Sequence, residues 1–202
     1  MVQEEELVLT VYRVPFSTNV ERIALAAGHK GIAIDWVDVD PDDRSPVEAV
    51  SGQPLVPVLV HGEEVVTDSP RILDWLEAHA PEPPLYPREP ALRAGATVFV
   101  QWFNRVWKVA PNRLVDAPDP ALTAEMHASV PIFEGLLDAH DYLFGEFGIA
   151  DVIAFPFLKY GVFGVPAGDA DRFHTILAHN LPLAAGSPLR AWAERVDAHP
   201  RG

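Results

Sequence analysis

Two short segments hold the residues best suited to chemistry. Leu55-Val56-Pro57-Val58-Leu59 places a proline inside a run that otherwise reads as a buried strand. Proline removes a ladder donor and is a poor central-strand residue, so it points to an edge strand or to a cis peptide kept for a purpose. Eleven residues after Pro57 comes Asp68-Ser69-Pro70-Arg71-Ile72. Asp-Ser ahead of a proline and an apolar-periodic run reads as a helix N-terminus. A helix start beside such a proline is a natural place to hold an anionic small molecule, because its unpaired N–H groups and its dipole both favour negative charge. Ser17 or Thr18 can cap an earlier helix in the same way.

The elements that must position these residues follow from periodicity. Residues 7–12 are β-rich and read as a buried strand, and 32–39 alternate as a second one. A helix runs between them to about His29, closed by Gly28 to Gly31. Residues 40–52 read as loop with a short helix, 56–60 and 64–66 as strands flanking His61-Gly62-Glu63, and 69–80 as a helix with Ile72, Leu73, Trp75 and Leu76 inward. The first part is therefore β-α-β-(α)-β-β-α, its first two strands parallel with a right-handed crossover and its hairpin antiparallel. Five prolines in 81–90 mark a linker. Beyond it no convincing strand occurs; 91–113, 121–144, 151–163 and 188–198 read as helices, with a short one near 171–179. The expected domains are 1–82, a linker 83–90, and an all-α domain 91–202.

Composition removes whole classes of function. The chain has 202 residues, 49% of them hydrophobic, and a formal charge of −14. Such an acidic protein is repelled by nucleic acid and by anionic membranes, so an anionic ligand must be held by local dipoles and a few cations. There is no cysteine, which excludes disulfides, thiolate metal sites and cysteine nucleophiles. The eight histidines form no pair at metal-ligand spacing on one helix face, so no metal site is read. No run is long enough to span a bilayer, and the acidic residues 1–6 lack a signal-peptide core, so a cytoplasmic protein is expected.

The motifs resemble those of the soluble glutathione transferase superfamily, along essentially the whole chain. Ser17-Thr18-Asn19-Val20-Glu21-Arg22-Ile23 is similar to that family's Ser-x-x-x-x-Arg-Val helix start, Val56-Pro57-Val58-Leu59 to its Val-Pro strand, and Asp68-Ser69-Pro70-Arg71-Ile72 to its (Glu/Asp)-Ser-x-x-Ile motif. Arg44-Ser45-Pro46 resembles the Lys-Ser-Pro of serine-type, tau-like and related bacterial members. The resemblance implies a thioredoxin-like βαβ-ββα domain followed by an all-helical domain, in a homodimer. It implies that Pro57 is cis and presents the Val56 backbone to the cysteinyl unit of glutathione, and that Asp68 and Ser69 hold the γ-glutamyl end. It further implies that Arg44 pairs the glycyl carboxylate and that Ser17 donates to the thiolate. The co-substrate is then glutathione, its partner a small apolar electrophile, and the reaction conjugation, a detoxification chemistry.

The chain departs from the family pattern at several places. Leu55 stands where many members carry Lys or Gln, with Gln53 as a substitute. Gly148 replaces the Ser/Thr of a capping box, and Val14-Pro15-Phe16 has valine at the position of a catalytic thiol. Tyr12, at the end of the first strand, is the alternative to Ser17. Trp107 is the residue expected to line the acceptor pocket. Two other functions stay open beside conjugation. One is a glutathione-dependent isomerase. The other is a non-catalytic binding or regulatory relative, and another low-molecular-weight thiol is open because the Ala/Pro/Asp-rich composition hints at a GC-rich bacterial genome.

Overall fold

The structure is a computed structural model and describes residues 9–202. The expectations for 1–6 and for the start of the first strand at 7–8 lie outside the described residues. Two compact units divide the chain: one takes in the sequence up to Pro83 together with His199–Gly202, the other is Pro84–Ala198. Residues 84–90, expected as linker, thus belong to the helical unit. Residues 199–202, expected with the helices, belong to the first unit.

In the first unit β1 (Leu9–Arg13) and β2 (Ile34–Asp38) are parallel, joined by α1 (Thr18–Lys30). After α2 (Ser45–Ser51), β3 (Val58–His61) runs antiparallel to β1, and β4 (Glu64–Thr67) antiparallel to β3. The sheet order is β2-β1-β3-β4, and α3 (Ser69–His79) follows. This is the thioredoxin-like βαβ-ββα arrangement. Leu9 and Val11 of the central β1 are fully buried, as a two-residue period demands of a covered strand. Gly31 closes α1 in the left-handed region at φ 68°, donating back to Ala27 and Gly28, a geometry that favours a residue without Cβ. Lys30 ties the end of α1 to the chain after α3. Its buried ammonium donates to Glu77 (2.7 Å), Ala80 O (2.6 Å) and Pro83 O (3.0 Å), so all three donors are satisfied.

The second unit is helical: α4 (Pro90–Trp102), a π-helical turn (Phe103–Trp107), α5 (Val109–Asp116), α6 (Pro120–Leu136), α7 (Ile149–Phe163), α8 (Arg172–Asn180) and α9 (Pro188–Asp197). The single helix expected over 91–113 is interrupted. Pro111 offers no N–H to the carbonyl of Trp107, and Lys108 N reaches instead to Phe103 O at 3.1 Å. The helix expected to run to residue 144 stops at Leu136; the chain turns there, with Ala139 at φ 64°, and the Leu143 N–H goes to the buried carboxylate of Asp151 at 3.1 Å. None of the described helices is long and apolar enough to cross a membrane.

Asp151 organises this unit. Its carboxylate is 1% exposed and accepts from Gly148 N (3.0 Å), Leu143 N (3.1 Å) and Trp192 Nε1 (2.7 Å). Only the return half of a capping box exists, since Gly148 has no side chain to give. The reason is space. A Cβ at Gly148 would fall 2.5 Å from Leu85 O, the carbonyl that accepts from Ile149 N at 2.7 Å. Restoring the hydroxyl with Gly148→Ser should therefore destabilise by about 1–3 kcal/mol, the usual cost of overpacking, instead of adding a cap. Urea unfolding decides this: a more stable serine variant would mean Leu85 can give way.

Candidate functional site

Five of the sequence-predicted site residues, Ser17, Val56, Pro57, Asp68 and Ser69, fall on the first unit at the starts of α1, β3 and α3. Ser17 is the N-cap of α1, and its Oγ accepts from Val20 N at 3.4 Å. Its hydroxyl hydrogen has no acceptor among the described residues, so the group that caps the helix is also poised to donate. Asp68 precedes α3 and Ser69 opens it, 2% exposed. Pro70 in the first turn carries no N–H, so the free donors of this helix start include that of Ser69. Val56-Pro57 is cis, and the ladder of β3 with β1 begins at the next residue, Val58, opposite Tyr12.

A buried arginine joins the two helix starts. Arg22, fully buried on α1, donates from Nη1 to Ser69 Oγ at 3.3 Å, and Ser69 Oγ donates to Asn19 Oδ1 at 3.4 Å. Burial pushes the Arg22 guanidinium down to about 9, with Asp68 pulling the other way. The group still carries its charge at neutral pH. Sequence reasoning quoted Arg22 as part of a motif and gave it no role; its signal was an arginine on the otherwise apolar side of α1. Asn19 gave no signal.

Backbone strain marks the same two places. Phe16 (φ 60°) and Asp68 (φ 72°) are two of three described non-glycine residues with positive φ, and each directly precedes a site serine. A bulky residue in that region is costly, and such strain concentrates at functional sites. Phe16 is moreover 43% exposed, an aromatic face next to Ser17.

Four other predicted residues stand apart from this constellation. Tyr12 packs against the cluster of Val39, Val47 and Val58, together with Val14 and Val56. Gln53 braces its own loop: Nε2 donates to Ser51 Oγ (3.0 Å) and Leu55 O (2.8 Å), and Oε1 accepts from Leu55 N (2.8 Å). It holds the turn that leads into Val56. Arg44 precedes α2 and donates from Nε to Pro41 O at 3.1 Å. Trp107 is a core residue of the helical unit, in place of the pocket wall expected of it. It stacks on Phe103 at 4.5 Å, meets Phe133 and Phe157 edge-on, and donates from Nε1 to Ser129 Oγ at 2.8 Å. A buried indole needs such a partner, and the hydroxyl that supplies it fixes the ring in the core.

Among the described residues, no group of three or more His, Cys, Asp or Glu is placed to hold a metal ion. The proline does not mark an edge strand, since β3 lies between β1 and β4; the arrangement is two helix N-termini, one hydroxyl donor and the Val56 backbone ahead of the β3 ladders. These suit a flexible ligand with an anionic head and a group that becomes anionic.

Residues 11–84 match the family of the glutathione S-transferase N-terminal domain. The chain is 34% identical over 98 residues to glutathione S-transferase 1 of Dianthus caryophyllus, covering 46% of this chain and 44% of that one. It is 29% identical over 168 residues to FtsZ-localized protein A of Caulobacter vibrioides, covering 72% and 73%. The chain thus spans under half the length of the first relative and nearly three quarters of the second. A rice glutathione S-transferase solved in complex with glutathione has the same fold, with a TM-score of 0.74 and 21% identity over 96% of this chain and 88% of that one.

Proposed function

We propose that this chain, whose residues 11–84 match the glutathione S-transferase N-terminal domain family, is a member of the soluble glutathione transferase superfamily and acts as a glutathione transferase, adding the thiolate of glutathione to small apolar electrophiles. The observation that carries the reading is the Arg22–Ser69–Asn19 chain, which brings the starts of α1 and α3 together. One start then faces a thiolate and the other a carboxylate. In this reading Ser17 donates to the sulfur, the Val56 backbone pairs with the cysteinyl unit as a short strand addition, and Asp68 with the Ser69 N–H holds the γ-glutamyl amine and carboxylate. Arg44 takes the glycyl carboxylate.

The energy required is modest. A thiol with a pKa near ~8.5 is mostly protonated at neutral pH, and lowering it by about two units needs roughly 2.7 kcal/mol of preferential thiolate binding. A hydrogen bond to a charged acceptor supplies about 1.5–3 kcal/mol, and a helix N-terminus about 0.3–1 kcal/mol more. Glutathione is the nucleophile, so the absence of cysteine from the chain is no obstacle to conjugation.

Calorimetric titration with reduced glutathione, joined to an aryl-halide conjugation assay, tests the proposal. Ser17→Ala should lower conjugation at least about tenfold while affinity stays within a few-fold, because a donor to the developing thiolate acts mainly on the reacting form. Unchanged turnover would move the role to Tyr12. Asp68→Ala should weaken binding instead, and intact affinity would leave the segment as a helix start only. A homodimer is part of the same proposal: Leu92 and Val98 are exposed apolar side chains on α4, and sedimentation of the purified chain checks it.

A second reading is favoured by one finding. One of the matches that reach across most of this chain, at 72%, is to a protein named for its localisation to FtsZ and not for catalysis. An interaction protein of this fold would show no glutathione binding at millimolar concentration.

A further inference from the structure

Residues His199–Gly202 follow α9 in sequence yet lie with the first unit, against α1 and β2. Gly202 N donates to Ala24 O at 2.9 Å, and Trp36 of β2 donates from Nε1 to Gly202 O at 2.8 Å. Trp36 is held on its ring by the Arg13 guanidinium, 4.9 Å from the centroid. Arg201 meets Glu21 at 3.4 Å and also donates to the His199 carbonyl. The seat is close-fitting. A Cβ at Gly28 would fall 2.1 Å from Pro200 O, and one at Gly202 would fall 2.5 Å from Ala27 Cβ and 2.6 Å from Ile32 O. Backbone atoms cannot swing aside, so these two glycines are what admit the segment. Helix α1 is consequently gripped twice, by Arg22 reaching Ser69 and by this segment at Glu21, Ala24, Ala27 and Gly28.

We propose that residues 199–202 are a positioning strap for α1: docked, they hold the first turn that carries Ser17 and Arg22 in place, and released, they let that turn fray. The effect on thiol chemistry rests on the transferase reading; the effect on the helix does not. An acid-sensitive latch is built in. His199 is held below the ordinary histidine value, first by burial, then by His29 and Arg201. The charged and titratable groups that act on it are His29 on α1 and Arg201 on the strap, and Arg201 is itself paired with Glu21 of α1. A depressed histidine pKa means that the docked form binds the proton less well than the released form. Docking is therefore strongest above about pH 6.5 and weakens as pH falls below it.

Hydrogen exchange over residues 18–22 tests the strap, in the full chain, in Gly28→Val and in a chain lacking 199–202. Valine is a better helix residue than glycine, so its effect on α1 comes from the filled seat. The deletion adds no bulk and decides the matter where valine perturbs folding. Exchange relative to the unfolded-chain rate should rise at least about tenfold in both variants, and in the wild type on going from pH 7 to pH 5. Thiolate absorbance should place the bound glutathione thiol about one unit higher in both variants, with affinity within threefold. Because the chain has no cysteine, Glu21→Cys with Arg201→Cys joined by a short bismaleimide should suppress the acid effect. Unchanged exchange at 18–22 in the deleted chain would overturn the strap. A wild type without glutathione affinity would overturn the transferase reading, and the exchange result would still decide the strap.

Discussion

Replacing Asp151 by alanine should destabilise the protein by about 4 kcal/mol, among the largest effects of any single substitution. Three donors converge on this carboxylate, and alanine leaves Leu143 N, Gly148 N and Trp192 Nε1 without an acceptor in a site that water does not reach. Each orphaned buried donor costs about 1–3 kcal/mol, and removing a buried charge returns part of that. At about 2–4 °C per kcal/mol for a chain of this size, the melting temperature should fall by on the order of 10 °C. Asp151→Asn should cost less, since one amide oxygen can still serve Leu143 and Trp192, while its N–H₂ opposes Gly148 N. The pH dependence supplies a second signature. Burial, outweighing the three donors, pushes the Asp151 carboxyl up to about 6 from its ordinary 3.8. A raised carboxyl pKa means the folded state binds the proton more tightly than the unfolded chain. Its contribution to stability therefore grows as pH falls from about 6 towards 4, and it is least favourable above 6. Thermal melts at pH 4.5 and 7.5 should show this increment in the wild type and lack it in Asp151→Asn. An alanine variant that melts within 2 °C of the wild type, a margin set by roughly 1 kcal/mol, would remove Asp151 from its central place.

Arg22→Met should separate binding from stability. Methionine fills a similar volume and removes the cost of burying a cation, and the carboxylate it leaves behind, Asp68, is exposed, so no buried charge is left unpaired. The melting temperature should stay within about 5 °C, a change of 1–2 kcal/mol. Glutathione affinity should nonetheless drop at least about tenfold, because Ser69 loses the donor that fixes it against α1 and Asp68 loses its buried cation. Arg22→Ala should do both, adding a cavity cost of about 2–5 kcal/mol. Arg22→Lys should not rescue binding, since an ammonium cannot reproduce the span of a guanidinium fork. Calorimetry beside thermal melts checks the pattern. Wild-type affinity in the methionine variant would confine Arg22 to a packing role.

The elements were legible where local chemistry speaks for itself. The period of β1, the cap at Ser17 and the helix opened by Asp68-Ser69 all stand close to where composition and spacing put them. They were illegible where a distant group competes for a backbone bond. Leu143 reads as helical, and lies instead beyond the end of α6 with its N–H on the distant carboxylate of Asp151. Residues 91–113 read as one helix, and a π-helical turn at Phe103–Trp107 divides it ahead of α5, which holds Pro111. Trp107 reads as lining an acceptor pocket, and its indole is buried in the helical unit with Ser129 as its partner. Gln53 reads as a ligand contact, and folds back on its own loop.

By itself the sequence carried the family resemblance, the order of strands and most of the helices, and the helix starts at Ser17 and Asp68-Ser69, because these depend on residue type and short spacing. Only the tertiary structure showed that Arg22 couples Ser69 to α1 across 47 residues of chain, that Gly148 is glycine for want of room beside Leu85, and that residues 199–202 return to the first unit. Those facts depend on which backbone atoms approach one another after packing, and no local pattern carries that information.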